Sequence, residues 1–107
     1  MIIHIKNKET PIVENFQFKC CIGKNGLKKS KIEGDKSTPK GTFKFETLYY
    51  RSDRVPKPKT PLKIKAIKRN MGWCSDSKSN FYNKEINFNK KLKHEKLHRK
   101  DFKYDYV

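Results

Sequence analysis

Apolar and aromatic residues alternate with polar or charged residues in several short runs of this chain. The clearest runs are residues 2–5, 16–22, 42–50, 62–66 and 102–107. A period of two places successive side chains on opposite faces of an extended strand. Five glycines and five prolines separate these runs and interrupt longer elements. The pattern predicts an all-β fold, built as a β-sandwich or part of one, with long loops and little helix.

Loops and turns are expected between the strands. Asn25-Gly26 is a hairpin signal, because both residue types tolerate positive φ angles. Residues 28–40 show no periodicity and predict a long loop. The prolines within residues 51–61 indicate a loop or an edge segment.

The part of the chain after residue 69 gives weaker signals. Residues 70–89 are rich in turn-forming residues, and residues 90–100 have the one helical tendency in the chain, which predicts a short turn or helix. Isolated aromatic residues in the turn-rich part are expected to be packing anchors: Trp73, Phe81 and Tyr82.

Length and composition limit the size of the core. A chain of 107 residues allows one small domain, and apolar residues make up 34% of it with a mean hydropathy of −1.01. Seven Phe and five Tyr nevertheless argue against disorder, since each aromatic side chain can bury a large area. We therefore expect one folded but marginally stable domain over residues 1–107, or a piece of a larger one.

The formal net charge of +16 raises the alternative of a basic, non-enzymatic module that binds nucleic acid or another polyanion. The cations are 23 Lys and only four Arg, and they are spread along the whole chain. Lysine is a generic point charge without the planar fork with which arginine reads bases and phosphates. A genome biased toward Lys, Asn and Ile also produces this composition, so a nucleic-acid partner is not the expectation.

The three cysteines form neither a metal-binding nor a disulfide pattern. Cys20 and Cys21 are adjacent, and a strand there would place them on opposite faces. No metal ion and no cofactor are expected. No segment approaches the roughly 20 apolar residues that span a bilayer, and residues 1–5 lead directly into polar residues without the pattern of a signal peptide.

The segment Glu33-Gly34-Asp35-Lys36-Ser37-Thr38-Pro39-Lys40-Gly41-Thr42-Phe43 matches the pattern E-G-D-x-x-T-P-x-G-x-F. This pattern resembles the L,D-transpeptidase (YkuD-type) catalytic domain. Three later stretches fit the same family in the same order: residues 48–54, residues 72–83 and residues 94–101. The resemblance extends over roughly Phe16 to Val107.

The resemblance implies a β-sandwich enzyme of the bacterial cell envelope or periplasm that needs no cofactor. Such enzymes cross-link or edit peptidoglycan through a cysteine thioester on stem peptides, and so contribute to cell shape. It also implies that the loop bearing Gly34, Asp35, Thr38 and Pro39 lies near the substrate cleft with Trp73. These five residues are the expected substrate-binding set.

The family's nucleophile sits in a Ser/Thr-x-Gly-Cys motif that follows a histidine on a neighbouring strand. The 107 residues contain no Gly-Cys pair. The resemblance therefore predicts a partial domain, truncated before the catalytic histidine and cysteine, that contains no catalytic residue and is inert by itself. With partners of the last strand missing, it is also expected to be partly unfolded or self-associating.

Two alternatives place chemistry within the chain. Cys74 is a possible nucleophile, since His94 and His98 follow it, although packing beside Trp73 explains the residue as well. His94-Glu95-Lys96-Leu97-His98 also matches the H-E-x-x-H signature of zinc peptidases. That signature requires an amphipathic helix, and the nearly all-charged flanks do not favour one.

Overall fold

The computed structural model describes residues 2–5, 10–88 and 91–107. These residues form ten short strands and no helix, which confirms the all-β prediction. Accordingly, no helix in this described part is long and apolar enough to cross a membrane. The chain divides into two compact units, Met1–Phe43 and Lys44–Val107.

The first unit begins with an antiparallel three-stranded sheet of β1 (Ile3–Ile5), β2 (Pro11–Val13) and β3 (Phe16–Gln17). The predicted strand at residues 2–5 is confirmed. The strand predicted at residues 16–22 is correct only at its start. Pairing with β2 ends just after β3, where the Phe18 amide donates a hydrogen bond to the Pro11 carbonyl (3.0 Å), because β2 is only three residues long.

The rest of the first unit contains a small parallel pair, β4 (Leu27–Lys28) and β5 (Thr38–Pro39). Asn25-Gly26 does form a turn, in which Gly26 has φ of 77° and its amide donates to the Gly23 carbonyl (2.8 Å). The predicted hairpin is wrong, since the strand after the turn pairs in parallel with β5 and not with the strand before it.

The second unit opens with the parallel strands β6 (Thr47–Tyr50) and β7 (Lys63–Ala66). The strand predicted at residues 62–66 is confirmed, and so is the loop at residues 51–61. The strand predicted at residues 42–50 exists only in its last four residues. Phe43 and Phe45 are 67% and 65% exposed, so they do not continue an apolar face with Tyr49.

A second antiparallel sheet follows, with β8 (Met71–Cys74) between β9 (Glu85–Asn87) and β10 (His94–Lys96). The turn-rich prediction for residues 70–89 is correct at residues 77–84, which form turns, but it missed the strands β8 and β9 on either side. The short turn or helix predicted at residues 90–100 is wrong in its described part, where His94–Lys96 is an edge strand. Charged side chains that disfavour a helical stripe suit an edge strand, where one face and one edge meet water.

The core of the second unit consists of Ile67, Met71 and Leu97, which are at most 5% exposed. Half-buried aromatic side chains pack against it: Tyr49, Trp73 and Tyr104. Trp73 is thus an anchor as predicted. Phe81 and Tyr82 are 40% and 37% exposed and do not belong to this core.

The last residues of the chain lie beside β6. Tyr49 and Val107 exchange two backbone hydrogen bonds (2.6 and 2.9 Å), and Tyr50 forms a bridge with Tyr106. The strand predicted at residues 102–107 is therefore present only as a short antiparallel contact at its end.

Candidate functional site

Three side chains form a row across the second sheet of the second unit. The strand register pairs Trp73 of β8 with Glu85 of β9 on one side and with Glu95 of β10 on the other. Residues directly opposite each other in antiparallel strands project from the same face. The indole of Trp73 therefore lies between two carboxylates, and we call Glu85, Trp73 and Glu95 the Trp73 row.

Two contacts fix the orientation of the indole. Its ring meets Tyr49 edge to face, with centroids 6.1 Å apart and an interplanar angle of 82°. Its Nε1 donates a hydrogen bond to Asn83 Oδ1 (2.8 Å). Edge-to-face packing combined with a satisfied indole N–H holds an aromatic ring in one pose. Trp73 is thus a half-buried ring of fixed orientation at the edge of the core.

Glu85 is the neutralised carboxylate of the row. Lys65 Nζ contacts both of its oxygens (2.7 and 2.8 Å), and Tyr49 Oη donates to Oε2 (2.9 Å). Burial, followed by the hydrogen bond to Glu85, raises the pKa of Tyr49 to about 12. Tyr49 consequently stays a protonated donor at neutral pH.

Glu95 is the more accessible carboxylate. It lies at an exposed position of β10, and it accepts a hydrogen bond from Tyr104 Oη (2.7 Å). That hydrogen bond, followed by burial, raises the pKa of Tyr104. The two glutamates thus differ in character, because Glu85 forms an ion pair with a lysine and Glu95 accepts its hydrogen bond from a neutral tyrosine hydroxyl.

A network of arginines and aspartates joins two other stretches of the second unit. Arg51 is buried and binds Asp53 at two points, and its Nη1 donates to the Arg99 carbonyl (2.5 Å). The hydrogen bonds from Arg51 hold the pKa of Asp53 well below its ordinary value. His98 Nε2 lies 3.7 Å from the same carboxylate.

The network continues through two more arginines. Arg99 binds Asp101 at two points, which lowers the pKa of Asp101 to about 2. Arg54 pairs with Asp105 (2.8 Å), donates to backbone carbonyls of residues 99–101 and lies over the Phe102 ring, 4.6 Å from its centroid. Residues 48–54 and 94–101, two of the stretches that carry the resemblance, are thereby brought together.

Asp35 organises the loop of the first unit. Its carboxylate accepts hydrogen bonds from the Ile32 amide (2.9 Å), from the Ser37 amide (2.9 Å) and from the Ser37 hydroxyl (2.6 Å). These bonds, that of the Ser37 hydroxyl first, hold the pKa of Asp35 far below its ordinary value. All of them are internal to the loop, so the geometry gives Asp35 a loop-forming role.

The other expected residues of this loop are also structural in their contacts. Gly34 has φ of 81°, a conformation that favours glycine. Thr38 Oγ1 accepts a hydrogen bond from the Gly23 amide (2.7 Å), and Pro39 continues β5 beside it. Gly34, Asp35, Thr38 and Pro39 therefore come together in the first unit, whereas Trp73 belongs to the second.

Cys74 and His94 are direct cross-strand partners in β8 and β10. The thiol is buried, with 1% of the residue exposed, and the His94 ring stacks on Phe88 with centroids 5.0 Å apart. His94 Nδ1 lies 2.7 Å from the Leu92 carbonyl. A buried thiol is poorly placed to attack a substrate, and packing accounts for Cys74.

The zinc-peptidase alternative requires His94 and His98 on one helix, but His94–Lys96 is a strand. Within residues 2–5, 10–88 and 91–107, no group of three or more His, Cys, Asp or Glu side chains could hold a metal ion.

Comparison with known families identifies the class. The family sequence profile of the YkuD L,D-transpeptidase catalytic domain matches residues 2–104. Because the match covers nearly the whole chain, this protein belongs to the L,D-transpeptidase catalytic domain family. Searches of curated proteins and of solved structures found no significant match.

Sequence reasoning missed most of the surroundings of Trp73. Tyr49, Asn83, Glu85, Glu95 and Tyr104 were not predicted as site residues. Assigning Met71–Cys74 as a central strand would have pointed to Glu85 and Glu95, since antiparallel pairing on both sides places one residue of each neighbouring strand opposite Trp73.

Proposed function

We propose that this chain supplies a substrate-binding part of a peptidoglycan L,D-transpeptidase and that its 107 residues do not catalyse acyl transfer by themselves. The observation that carries the proposal is the family match over residues 2–104 in a sequence without a Gly-Cys pair. The reaction needs a reactive cysteine thiolate with a base. The Cys74 thiol is buried in β8, where a substrate does not reach it.

The proposed ligand is the stem peptide of peptidoglycan in the bacterial cell envelope. The Trp73 row offers an apolar ring for the methyl and methylene groups of a stem peptide, and Glu95 offers an acceptor for its amino groups. Gly34, Asp35, Thr38 and Pro39 are proposed to shape a second contact in the first unit. Their support is the family pattern together with the preformed loop around Asp35.

Intrinsic fluorescence tests the binding proposal, because Trp73 is the single tryptophan of the chain. Titration with a soluble stem tetrapeptide is expected to give a saturable change in emission. The Glu95→Gln variant is expected to bind several-fold more weakly, since it retains the shape but loses the charge. Glu46→Gln is the matched control, as it removes one carboxylate at an exposed position of the same unit. Equal binding by all three proteins would exclude the Glu95 carboxylate as a contact, and the absence of any saturable change in emission would exclude the Trp73 row.

A separate assay tests the catalytic part. Incubation of the chain with a tetrapeptide donor and an amine acceptor is expected to yield no cross-linked product. A carbapenem is expected to leave Cys20, Cys21 and Cys74 unacylated, as judged by intact-mass spectrometry. A stoichiometric adduct on Cys74 would contradict the proposal and would make Cys74 the nucleophile.

A further inference from the structure

A proline-rich loop of the second unit and the strand β7 that follows it present four lysines to solvent. From residue 57 to residue 66, exposed and half-buried positions alternate strictly. The half-buried positions carry Pro58, Thr60, Leu62, Ile64 and Ala66. The exposed positions carry Pro61 and four lysines, which we call the lysine row: Lys57, Lys59, Lys63 and Lys65.

The backbone of the row is constrained along its length. It bends at Pro61 and Leu62, between the loop that carries Lys57 and Lys59 and the strand that carries Lys63 and Lys65. Pro56, Pro58 and Pro61 restrict φ in the first half, and β7 fixes the second half against β6. The lysines therefore follow one another along a segment whose backbone is largely ordered before any partner binds.

The row is also rich in unpaired charge. The sequence has no Asp or Glu between Asp53 and Asp76. Of the four lysines, Lys65 pairs with Glu85, whereas none of the ion pairs within the described residues includes Lys57, Lys59 or Lys63. The nearby aspartates at 53, 101 and 105 are matched with arginines instead.

Arginines and lysines have different roles in this unit, and the difference favours a partner that carries phosphate groups. Arginine forks, which give nucleic-acid recognition much of its geometry, are used inside the unit at Arg51 and Arg99. The exposed cations of the row are ammonium groups, which bind phosphate as point charges. No aromatic side chain lies among residues 57–66 on which a base could stack.

We propose that the lysine row binds a linear phosphodiester polymer that lies along residues 57–65, with contacts to successive phosphates and not to bases. This interaction goes beyond stem-peptide binding. Lys65 joins the lysine row to Glu85 of the Trp73 row, so the experiment below changes Lys57, Lys59 and Lys63 and leaves Lys65 in place. The order of the segment reduces the conformational entropy lost on binding.

Fluorescence anisotropy of the full 107-residue chain tests this proposal with two probes of equal phosphate number, labelled poly(glycerol phosphate) and single-stranded oligothymidylate. Both affinities are measured over a range of salt concentrations. Poly(glycerol phosphate) is expected to bind at low salt, and oligothymidylate is expected to bind equally or more weakly. Three unpaired lysines are expected to contribute about −2 to the slope of log K against log salt concentration.

The triple variant K57Q/K59Q/K63Q is expected to lose at least tenfold in affinity together with that part of the salt slope. The variant K57R/K59R/K63R is expected to retain binding, since the charges persist. The matched control is K44Q/K100Q/K103Q, which removes the same charge at exposed positions outside the row and is expected to lose less than threefold. A circular dichroism melt shows that each variant is folded.

Three results overturn the proposal. The first is an absence of poly(glycerol phosphate) binding. The second is an equal loss of affinity in the control triple variant, which would show that binding responds to net charge alone. The third is an affinity for oligothymidylate more than tenfold higher than for poly(glycerol phosphate), which would indicate a nucleic-acid surface. Since no stem peptide is present in the assay, none of these results affects the function proposed for the Trp73 row.

Discussion

Arg51 binds Asp53, only two residues further along the chain, through two parallel hydrogen bonds: Nε donates to Oδ1 (2.8 Å) and Nη2 to Oδ2 (2.7 Å). This fork directs the remaining guanidinium nitrogen, Nη1, to the carbonyl of Arg99. A local pair thereby orients a long-range hydrogen bond between segments 48 residues apart. The arrangement depends on the planar shape of guanidinium and not on its charge alone.

We expect Arg51→Lys to destabilise the second unit, because an ammonium group cannot bind both Asp53 oxygens and the Arg99 carbonyl in that fixed geometry. The midpoint of urea unfolding should fall several times further than for Arg69→Lys. Arg69 is the matched control, since it is exposed and is in none of the ion pairs of the described residues. Equal midpoints for the two variants would show that only the charge of Arg51 matters.

Gly72→Ala should destabilise β8. A Cβ at this position would lie 2.9 Å from His94 Cδ2, 3.1 Å from the Glu95 carbonyl oxygen and 3.2 Å from Phe88 Cε1. Relief of this overpacking requires displacement of the backbone or of the Phe88–His94 stack, at a cost of about 1–3 kcal/mol.

Thermal unfolding measures the effect, with Gly41→Ala as the control. At Gly41 the nearest contact of a Cβ is the exposed Phe43 ring at 3.3 Å, which can rotate away. A Gly72→Ala melting temperature no lower than that of Gly41→Ala would contradict the packing around β8.

Acid should weaken the fold through its aspartates. Asp53 and Asp101 have folded-state pKa values below the ordinary 3.8, with that of Asp101 near 2. A carboxyl whose pKa is lowered by folding contributes stability above its unfolded pKa, and that stability is lost as the pH falls through the folded pKa. Unfolding free energy should therefore decline from about pH 4 toward pH 2.

Urea titrations at a series of pH values between 2 and 6 measure this decline. Asp101→Asn should be less stable than the wild type at pH 6 and should show a shallower pH dependence below pH 4. An unchanged slope in this variant would exclude the Arg99–Asp101 pair as a contributor.

At high pH we expect a loss of stability through Tyr49, in contrast to the loss at low pH through the aspartates. Its pKa is raised from 10.0 to about 12, so the protonated phenol is favoured by folding. The resulting stability is fully present below pH 10 and is lost as the pH rises from 10 to 12. The pKa of Tyr104 is raised as well, so absorbance near 295 nm should show more than one tyrosine that ionises late. Tyr49→Phe should reduce the amplitude of that late transition by one tyrosine.

The three thiols should differ sharply in reactivity. Cys21 is exposed, Cys20 is half-buried and Cys74 is buried in β8. A thiol reagent such as dithionitrobenzoate should label Cys21 quickly and Cys74 only on the time scale of unfolding. The Cys74→Ser variant should leave the fast phase of labelling intact, whereas Cys21→Ser should remove it. Fast labelling of Cys74 in the folded chain would contradict its burial.

The sequence alone determined the class of fold and the family. Alternation at residues 2–5 and 62–66 predicted two strands correctly, because the pattern of half-buried and exposed side chains in a strand is local. The E-G-D-x-x-T-P pattern also predicted a turn-rich loop, since Gly34 and Asp35 act through backbone conformation and hydrogen bonds within a few residues.

Only the tertiary structure decided the position of β8 and the surroundings of Trp73. Met71–Cys74 contains a glycine and no alternation of polarity, because a central strand covered on both faces does not need polar positions. The pairing of Trp73 with Glu85 and Glu95 depends on strand register, and the Arg51–Arg99 bond spans 48 residues. Contacts between residues so far apart are fixed by packing and register, which local propensities do not specify.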